Sequence, residues 1–153
     1  MSIEKVRGFL RVRGMEDRVI EFDVSSATVA LAAEALGVPG ERIAKSLAFL
    51  VGERAVIVVA AGDRRIDNPK FKAAFGTKAK MLTPEQTLAL TGHAVGGVCP
   101  FAVNDGCRVF LDESLRRFDT VYPAAGSASS AVRLTPAELE ELTGSPGWVD
   151  VCK

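Results

Sequence analysis

Residues 46–61, SLAFLVGERAVIVVAA, decide the fold that this sequence predicts. Two apolar runs, residues 46–51 and 55–61, flank a polar tripeptide at residues 52–54 that begins with glycine. Short apolar runs bounded by turn residues are typical of strands whose side chains are mostly buried. We therefore expect a β-hairpin that forms the centre of the core.

Helix signals surround this hairpin. Apolar residues recur at helical spacing from Ile3 to Leu10, and an alanine-rich helix is expected at residues 28–36, before Gly37. Capping residues followed by proline predict three more helices, which start after Asp67, Thr83 and Thr135. Alternating or apolar patterns predict shorter strands at residues 19–24, 79–82, 108–111, 120–122, 131–134 and 148–151.

The order of these elements indicates the fold class. Strands and helices are interspersed, but the hairpin interrupts strict alternation, so the sheet should contain both parallel and antiparallel pairs. We expect an α/β fold with a curved, barrel-like mixed β-sheet surrounded by helices. At 153 residues, with no linker or repeat, the chain is predicted to form one domain over residues 1–153.

The composition excludes several classes of protein. Nineteen basic and nineteen acidic residues give a net charge of zero, so any contact with RNA must be local. No apolar run is long enough to cross a bilayer and no signal peptide is evident, which predicts a cytoplasmic protein without membrane contact. With three cysteines and one histidine, we expect neither a metal site nor a cofactor, and no disulfide framework.

The loop at residues 91–100, TGHAVGGVCP, combines three glycines with the only histidine, a cysteine and a proline. Glycine lets backbone N–H groups approach a ligand closely, although an ordinary tight connection would have a similar composition. The loop lacks the lysine and serine that end a nucleotide-binding P-loop. Binding of a nucleoside triphosphate is therefore not predicted.

Two further segments are candidates for a site. Lys45 precedes an apolar run, where it either marks a strand end in water or holds its ammonium at the mouth of a pocket. In the second case it could bind a phosphate or a carbonyl oxygen. The small residues at 124–130 either line a cavity or simply turn the chain.

Cys99 and His93 lie six positions apart, so a thiol-imidazole hydrolase is a competing interpretation. No acidic residue that would orient the imidazole is identifiable, and nothing in the sequence indicates a lowered thiol pKa. This alternative is weaker than one in which the loop binds its ligand through the backbone.

Four segments together resemble a known family. They are the segment around Lys45 (RIAKSL), residues 67–71 (DNPKF), the Gly96-x-x-x-Pro100 loop, and the Gly126 loop that precedes residues 132–134. In this order they resemble the YbaK/prolyl-tRNA synthetase-associated editing domains, from about residue 25 to residue 142. The resemblance implies a curved mixed sheet with helices around it, as the pattern of elements also predicts.

The resemblance also implies an activity. Freestanding members of that family are aminoacyl-tRNA deacylases that act in trans on tRNA carrying a wrong amino acid, often tRNA for proline. The amino acid removed is small, such as alanine, serine, cysteine or threonine. The implied partners are the 3′ end of mischarged tRNA and, as a candidate, prolyl-tRNA synthetase, while the oligomeric state stays open. A module of this fold that binds its ligand or a synthetase without catalysis is the main alternative.

In that family the residue matching Lys45 is needed for activity and contacts the substrate end, while the loop holds the aminoacyl group. Backbone N–H groups of the loop could then stabilise the oxyanion that develops during ester hydrolysis. The predicted catalytic residues are Lys45, Gly96 and Gly97. The predicted substrate-binding residues are Ser46, Phe49, His93, Val98, Cys99, Pro100, Gly126 and Ser127. Contact with the tRNA backbone is predicted for Lys70 and Lys72, with Lys78 and Lys80 as further candidates.

Overall fold

The computed structural model describes residues 2–153, and the predicted hairpin lies at its centre. Strands β2 (Ile43–Val51) and β3 (Arg54–Ala61) pair antiparallel, with Val51 opposite Arg54. The turn therefore has two residues rather than the predicted three, and Gly52 takes the positive φ of 64° that such a tight turn favours. Strand β2 begins three residues earlier than predicted, so Lys45 lies within the strand.

The hairpin is the middle of a five-stranded mixed sheet in the order β5-β2-β3-β4-β7. Strands β4 (Arg108–Asp112), β5 (Tyr122–Pro123) and β7 (Trp148–Val149) all join it by parallel pairing. A separate antiparallel pair is formed by β1 (Val19–Glu21) and β6 (Ser130–Val132). The predicted α/β fold with a mixed sheet is confirmed.

Five α-helices are present among the described residues, as predicted: α1 (Ser2–Arg11), α2 (Val29–Leu36), α3 (Asn68–Phe75), α4 (Pro84–Thr91) and α5 (Pro136–Thr143). Their starts follow the expected capping chemistry, because Thr28, Asp67, Thr83 and Thr135 each accept a hydrogen bond from a backbone N–H of the first turn. Over residues 2–153, no helix combines the length and apolar character needed to span a bilayer.

The predicted strand at residues 79–82 was wrong. Only Met81 forms a bridge with Phe49, supported by hydrogen bonds from Leu50 N to Lys80 O (2.9 Å) and from Leu82 N to Ala48 O (3.1 Å). The segment cannot extend this pairing because Thr83 caps α4 immediately afterwards. It runs beside the end of β2 without becoming a strand.

Other short strands are found, with bounds that differ from the predictions. Strand β1 stops at Glu21 rather than at residue 24, and β7 stops at Val149 rather than at residue 151. In the second case the N–H of Val151 donates to the Asp112 carboxylate (2.9 Å) instead of to a neighbouring strand. The Asp112 side chain thus takes the place of the next hydrogen bond between strands. No local sequence pattern could predict this contact.

Both faces of the hairpin are covered, which explains its nearly continuous apolar sequence. Ala44, Ala48 and Ile57 contribute to a large core that also contains residues of α1, β4 and α5. On the opposite face Phe49 and Val58 pack in a smaller cluster with residues of α3 and residues 151–152. Because side chains alternate along a strand, Ser46 points to the large core and Lys45 to the smaller cluster.

Candidate functional site

A cavity of ≈ 430 Å³ lies along β2, bounded by the start of α2, the end of the 79–82 segment and the glycine-rich loop. This volume is in the usual range for small-molecule sites. Four of the predicted site residues line it together: Lys45, Ser46, Gly96 and Val98. The structure therefore brings the predicted lysine and part of the predicted loop to one cavity.

The edge of β2 is open at this cavity. Strand β5 pairs only with Ile43 and Ala44, and the 79–82 segment bonds only at Ala48 and Leu50. In the antiparallel register that starts at Val51, alternate residues direct their backbone groups away from β3, as the outward bonds of positions 48 and 50 show. The same alternation directs the N–H and C=O of Ser46 toward the cavity, where a ligand can pair with them.

Unpaired hydroxyl groups add to this polar edge. The Oγ atoms of Ser26 and Ser46 are buried, and neither has a hydrogen-bond partner within residues 2–153. Both residues line the cavity. A buried hydroxyl left unpaired costs about 1–3 kcal/mol, so a ligand group that reached either atom would recover part of that free energy.

Lys45 is the cationic group of the site. Its Nζ donates a hydrogen bond to the carbonyl oxygen of Arg64, and the side chain is partly buried. Burial lowers the pKa of Lys45 from its ordinary value, while Cys152 and the Asp63 carboxylate act in the opposite direction. A charge with reduced hydration interacts more strongly with an incoming oxygen than a fully solvated lysine would.

The glycine-rich loop follows α4, which ends at Gly92 with a φ of 86°. Gly97 stands where this loop meets the next one, because a Cβ at that position would lie 2.9 Å from the carbonyl oxygen of Gly126. The Gly97 N–H donates to Ala94 O (3.0 Å) and is therefore not free for a ligand. Among residues 2–153, the N–H groups of Gly96 and Val98 have no acceptor, and these two residues line the cavity.

His93 and Cys99 brace the loop from inside the core, where both are fully buried. The His93 Nε2 lies 2.7 Å from the carbonyl oxygen of Phe101 and must carry the proton, because a carbonyl can only accept. Cys99 Sγ lies 3.5 Å from the same Nε2. Burial raises the pKa of Cys99 to about 12 and lowers that of His93. A protonated Nε2 cannot take the thiol proton, so the pair lacks the geometry of a thiol nucleophile and its base.

The remaining predicted residues do not line the cavity. Phe49 packs against Phe71, with ring centroids 4.9 Å apart, in the smaller cluster. Pro100 is buried, Gly126 packs against Gly97, and Ser127 Oγ shares a 2.6 Å hydrogen bond with Ser130 Oγ within its own segment. On α3, Lys72 is exposed, while Lys70 Nζ binds Asp150 Oδ1 and the Cys152 carbonyl, both at 3.0 Å.

Several residues of the cavity were missed by sequence reasoning. The segment before and within α2 supplies one wall, the 79–87 segment another, and β5 and β6 a third. These residues include Ser26, Thr28, Val29, Ala32, Leu82, Thr87 and Tyr122, whereas Ala124 and Ser130 belong to the 124–130 segment that the sequence offered as a cavity lining. The sequence predicts that α2 begins at Thr28. Which side of this helix faces a cavity, however, depends on the packing of distant segments.

The chemistry available at the site is one ammonium, free backbone N–H groups and hydroxyls. Within the described residues, no three histidine, cysteine, aspartate or glutamate side chains group as a metal site would require. The ammonium, the N–H groups and the hydroxyls suit the binding of an ester or phosphate oxygen and the stabilisation of a developing oxyanion.

Comparisons with known proteins find relatives over most or all of this chain. The family described as the aminoacyl-tRNA editing domain matches residues 24–142. The uncharacterized protein YwhH of Bacillus subtilis is 51% identical over 154 residues, which cover 100% of this chain and 98% of that protein. Proline–tRNA ligase of Nitratidesulfovibrio vulgaris is 35% identical over 82 residues, which are 53% of this chain but only 14% of the ligase.

A solved structure shows the same fold. The crystal structure of a candidate trans-editing enzyme for prolyl-tRNA synthetase superposes with a TM-score of 0.90 at 35% identity. The superposition covers 99% of this chain and 97% of that one. The likeness therefore extends over the whole sheet and the helices around it.

Proposed function

Because the chain belongs to the aminoacyl-tRNA editing domain family, we propose that it is a deacylase acting in trans on tRNA for proline charged with a small, wrong amino acid. Water adds to the ester that joins the amino acid to the ribose of the terminal adenosine, and the products are the free amino acid and uncharged tRNA. The observation that carries this proposal is that Lys45, Gly96 and Val98 line one cavity, and that the N–H groups of the two loop residues have no acceptor within residues 2–153.

The proposed mechanism needs no protein nucleophile. An aminoacyl ester is already activated, so catalysis requires a positioned water and stabilisation of the developing oxyanion. The N–H groups of Gly96 and Val98 supply that stabilisation, and the Lys45 ammonium holds the ester oxygen or the terminal phosphate. The ribose hydroxyl beside the ester assists the water. Each oxyanion donor of this kind is worth about 10²–10³ in kcat.

Selectivity among amino acids is proposed to depend on the volume of the cavity. Six of the residues that line the cavity are alanines, whose small side chains leave room for the aminoacyl end: Ala27, Ala32, Ala44, Ala48, Ala124 and Ala131. Larger amino acids are excluded by clash, whereas one missing methylene changes the free energy by only about 1–3 kcal/mol. A cavity that admits one of alanine, serine, cysteine and threonine therefore distinguishes poorly among these four.

The choice of tRNA for proline rests on the relatives. One structural relative is described as a candidate trans-editing enzyme for prolyl-tRNA synthetase, and part of this chain matches proline–tRNA ligases. We propose that the chain receives mischarged tRNA released by that synthetase, in the cytoplasm, where the tRNA is used.

The test uses the pure protein and tRNA for proline charged separately with alanine, serine, cysteine and proline. We expect ester loss with at least one of the small wrong amino acids and none with proline. Lys45→Ala should abolish the loss while circular dichroism stays unchanged, and Cys99→Ala should retain it. Full activity of Lys45→Ala would overturn the mechanism, and loss of activity in a folded Cys99→Ala would favour the thiol hydrolase. No hydrolysis of any substrate, with binding retained, would indicate the non-catalytic module.

A further inference from the structure

The Lys45 ammonium is held by backbone and not by an acidic side chain. Its hydrogen-bond acceptor is the carbonyl oxygen of Arg64, in the turn that follows β3. The Arg64 N–H donates to Ala61 O at 3.0 Å, which fixes the first half of this turn to the sheet. The position of the ammonium therefore depends on whatever fixes the chain directly after Arg64.

That chain is held by the last four residues, 150–153, which we call the strap. Arg65 and Lys153 exchange two backbone hydrogen bonds, from Arg65 N to Lys153 O (3.2 Å) and from Lys153 N to Arg65 O (2.8 Å). Asp67 N also donates to Val151 O at 2.8 Å. The strap thus pairs antiparallel with residues 65–67, centred on a bridge between Ile66 and Cys152.

Asp112 fixes the strap to the central sheet. This carboxylate ends β4, is 2% exposed, and accepts hydrogen bonds from the N–H groups of Val151 and Ser114, both at 2.9 Å. Lys70 adds an outer tether through its bonds to Asp150 and to the Cys152 carbonyl. Val151 and Cys152 are themselves buried, so the strap is part of the core.

We infer that the strap, anchored by Asp112, is the element that positions the Lys45 ammonium, through the turn at Arg64. The connected contacts run from Asp112 to Val151, from the strap to residues 65–67, and from Arg64 to Lys45. Asp112 is in this sense a positioning residue, which touches no substrate. The catalytic consequence rests on the proposed function, and it is large because a displacement of about 1 Å in a catalytic group can cost about 10²-fold in rate.

The strap also controls the surroundings of the ammonium. Cys152 and Asp63 are the titratable groups that act on Lys45, and burial is the main influence on its pKa. Loosening the strap admits water to Lys45 and moves its pKa toward the ordinary value of a solvated lysine. This effect exists without any tRNA and can be measured independently of catalysis.

Asp112→Asn is the first test. The amide oxygen can still accept one N–H, but the amide NH₂ then faces the other N–H, so one of the two anchoring bonds is lost. The pH dependence of amine labelling at Lys45, read by mass spectrometry without tRNA, should show a raised pKa. In the deacylation assay we expect kcat to fall about tenfold or more with little change in KM, since a misplaced group weakens transition-state contacts.

Glu138→Gln is the matched control. Glu138 is also a hydrogen-bonded carboxylate, paired with Arg18 at 3.0 Å and with the Thr135 N–H at 2.9 Å, but it has no connection to the strap. Glu138→Gln should lower the unfolding midpoint while leaving the Lys45 titration and kcat unchanged. Equal effects of the two variants on Lys45 would show a general loss of stability and overturn the inference.

Deletion of Lys153 serves as a second variant if Asp112→Asn does not fold. It removes both backbone bonds to Arg65 without removing a buried side chain, and it should raise the Lys45 pKa in the same direction. An unchanged Lys45 titration in the folded variants overturns the strap's role. Failure of the unmodified protein to hydrolyse any charged tRNA overturns the proposed function instead, since the titration needs no substrate.

Discussion

His93 shows how a single residue can serve a site without touching its ligand. Its ring is fully buried, and Nε2 donates to the carbonyl of Phe101, directly after the proline that ends the loop. The backbone N–H of His93 in turn donates to Thr91 Oγ1 at 3.1 Å. The imidazole therefore ties the two ends of the loop together in its neutral form, and Gly96 and Val98 are presented from a fixed base.

This neutral histidine predicts a pH dependence of folding. Burial lowers the folded-state pKa of His93, whereas the unfolded chain should have the ordinary value of about 6.5. Between these two pKa values the unfolded state binds more protons than the folded state. The contribution of His93 to the free energy of unfolding is therefore complete above about pH 6.5, and it falls as the pH drops toward the lowered pKa. Urea unfolding of the unmodified protein from pH 8 downward should show this loss.

His93→Gln is the matched variant, because the glutamine amide can donate to the Phe101 carbonyl and does not titrate. The difference in unfolding free energy between the two proteins should change in this pH window and be constant above it. A constant difference throughout the window would mean that His93 titrates alike in the folded and unfolded states.

At the residue scale, the structure gathers part of the predicted set of site residues at one cavity, and the roles of these residues stay predictions. Lys45, Ser46, Gly96 and Val98 do line the cavity, because glycine content and a charged residue beside an apolar run are local signals. Phe49 was proposed as a lining residue but packs in the second cluster. In a strand buried on both faces the alternation of polar and apolar residues is lost, so the face of each side chain cannot be read.

At the scale of elements, α4 and α5 are nearly matched helices with different relations to the cavity. Each starts with a threonine capping box and proline, and each spans eight residues. Thr87 of α4 lines the cavity, and α4 leads directly into the glycine-rich loop. Helix α5 supplies Leu139 and Leu142 to the large core and no residue to the cavity lining.

Removing the two caps should therefore separate stability from activity. Thr83→Ala and Thr135→Ala should each cost about 1 kcal/mol of unfolding free energy, the typical loss for an N-cap threonine. Only Thr83→Ala should also lower kcat for deacylation, because fraying of the first turn of α4 disturbs Thr87 and the loop. Urea unfolding and the deacylation assay measure the two effects, and similar kcat losses in both variants would contradict this assignment.

The same comparison explains which elements the sequence could predict. The start of a helix depends on a side chain and a backbone N–H only three residues apart. The predicted helix starts at Thr83 and Thr135 therefore agree with the structure to the residue. Short strands depend on partners far along the chain. The 79–82 run looked like a strand, yet only Met81 pairs with β2, and the end of β7 was decided by the distant Asp112.

At the scale of the whole molecule, a net charge of zero leaves tRNA binding to local groups. The lysines predicted to contact tRNA differ in whether their ammonium groups are already paired with an acidic side chain. Lys70 is paired with Asp150, whereas Lys72, Lys78 and Lys80 are exposed and form no salt bridge within residues 2–153. Lys80 lies beside Met81 and Leu82 of the cavity lining, while Lys72 lies on α3. The placement favours Lys80 as the phosphate contact nearest the aminoacyl end.

The salt dependence of tRNA binding tests this ranking. Each lysine that neutralises a phosphate steepens the plot of log K against log salt, by about 0.7 for a single strand, and its loss should reduce the slope by about 1 or less. Lys80→Gln should thus weaken binding and flatten the plot, and Lys72→Gln should change neither. Fluorescence anisotropy with labelled tRNA over a salt series gives both quantities. A flatter plot for Lys72→Gln alone would instead place the RNA backbone along α3.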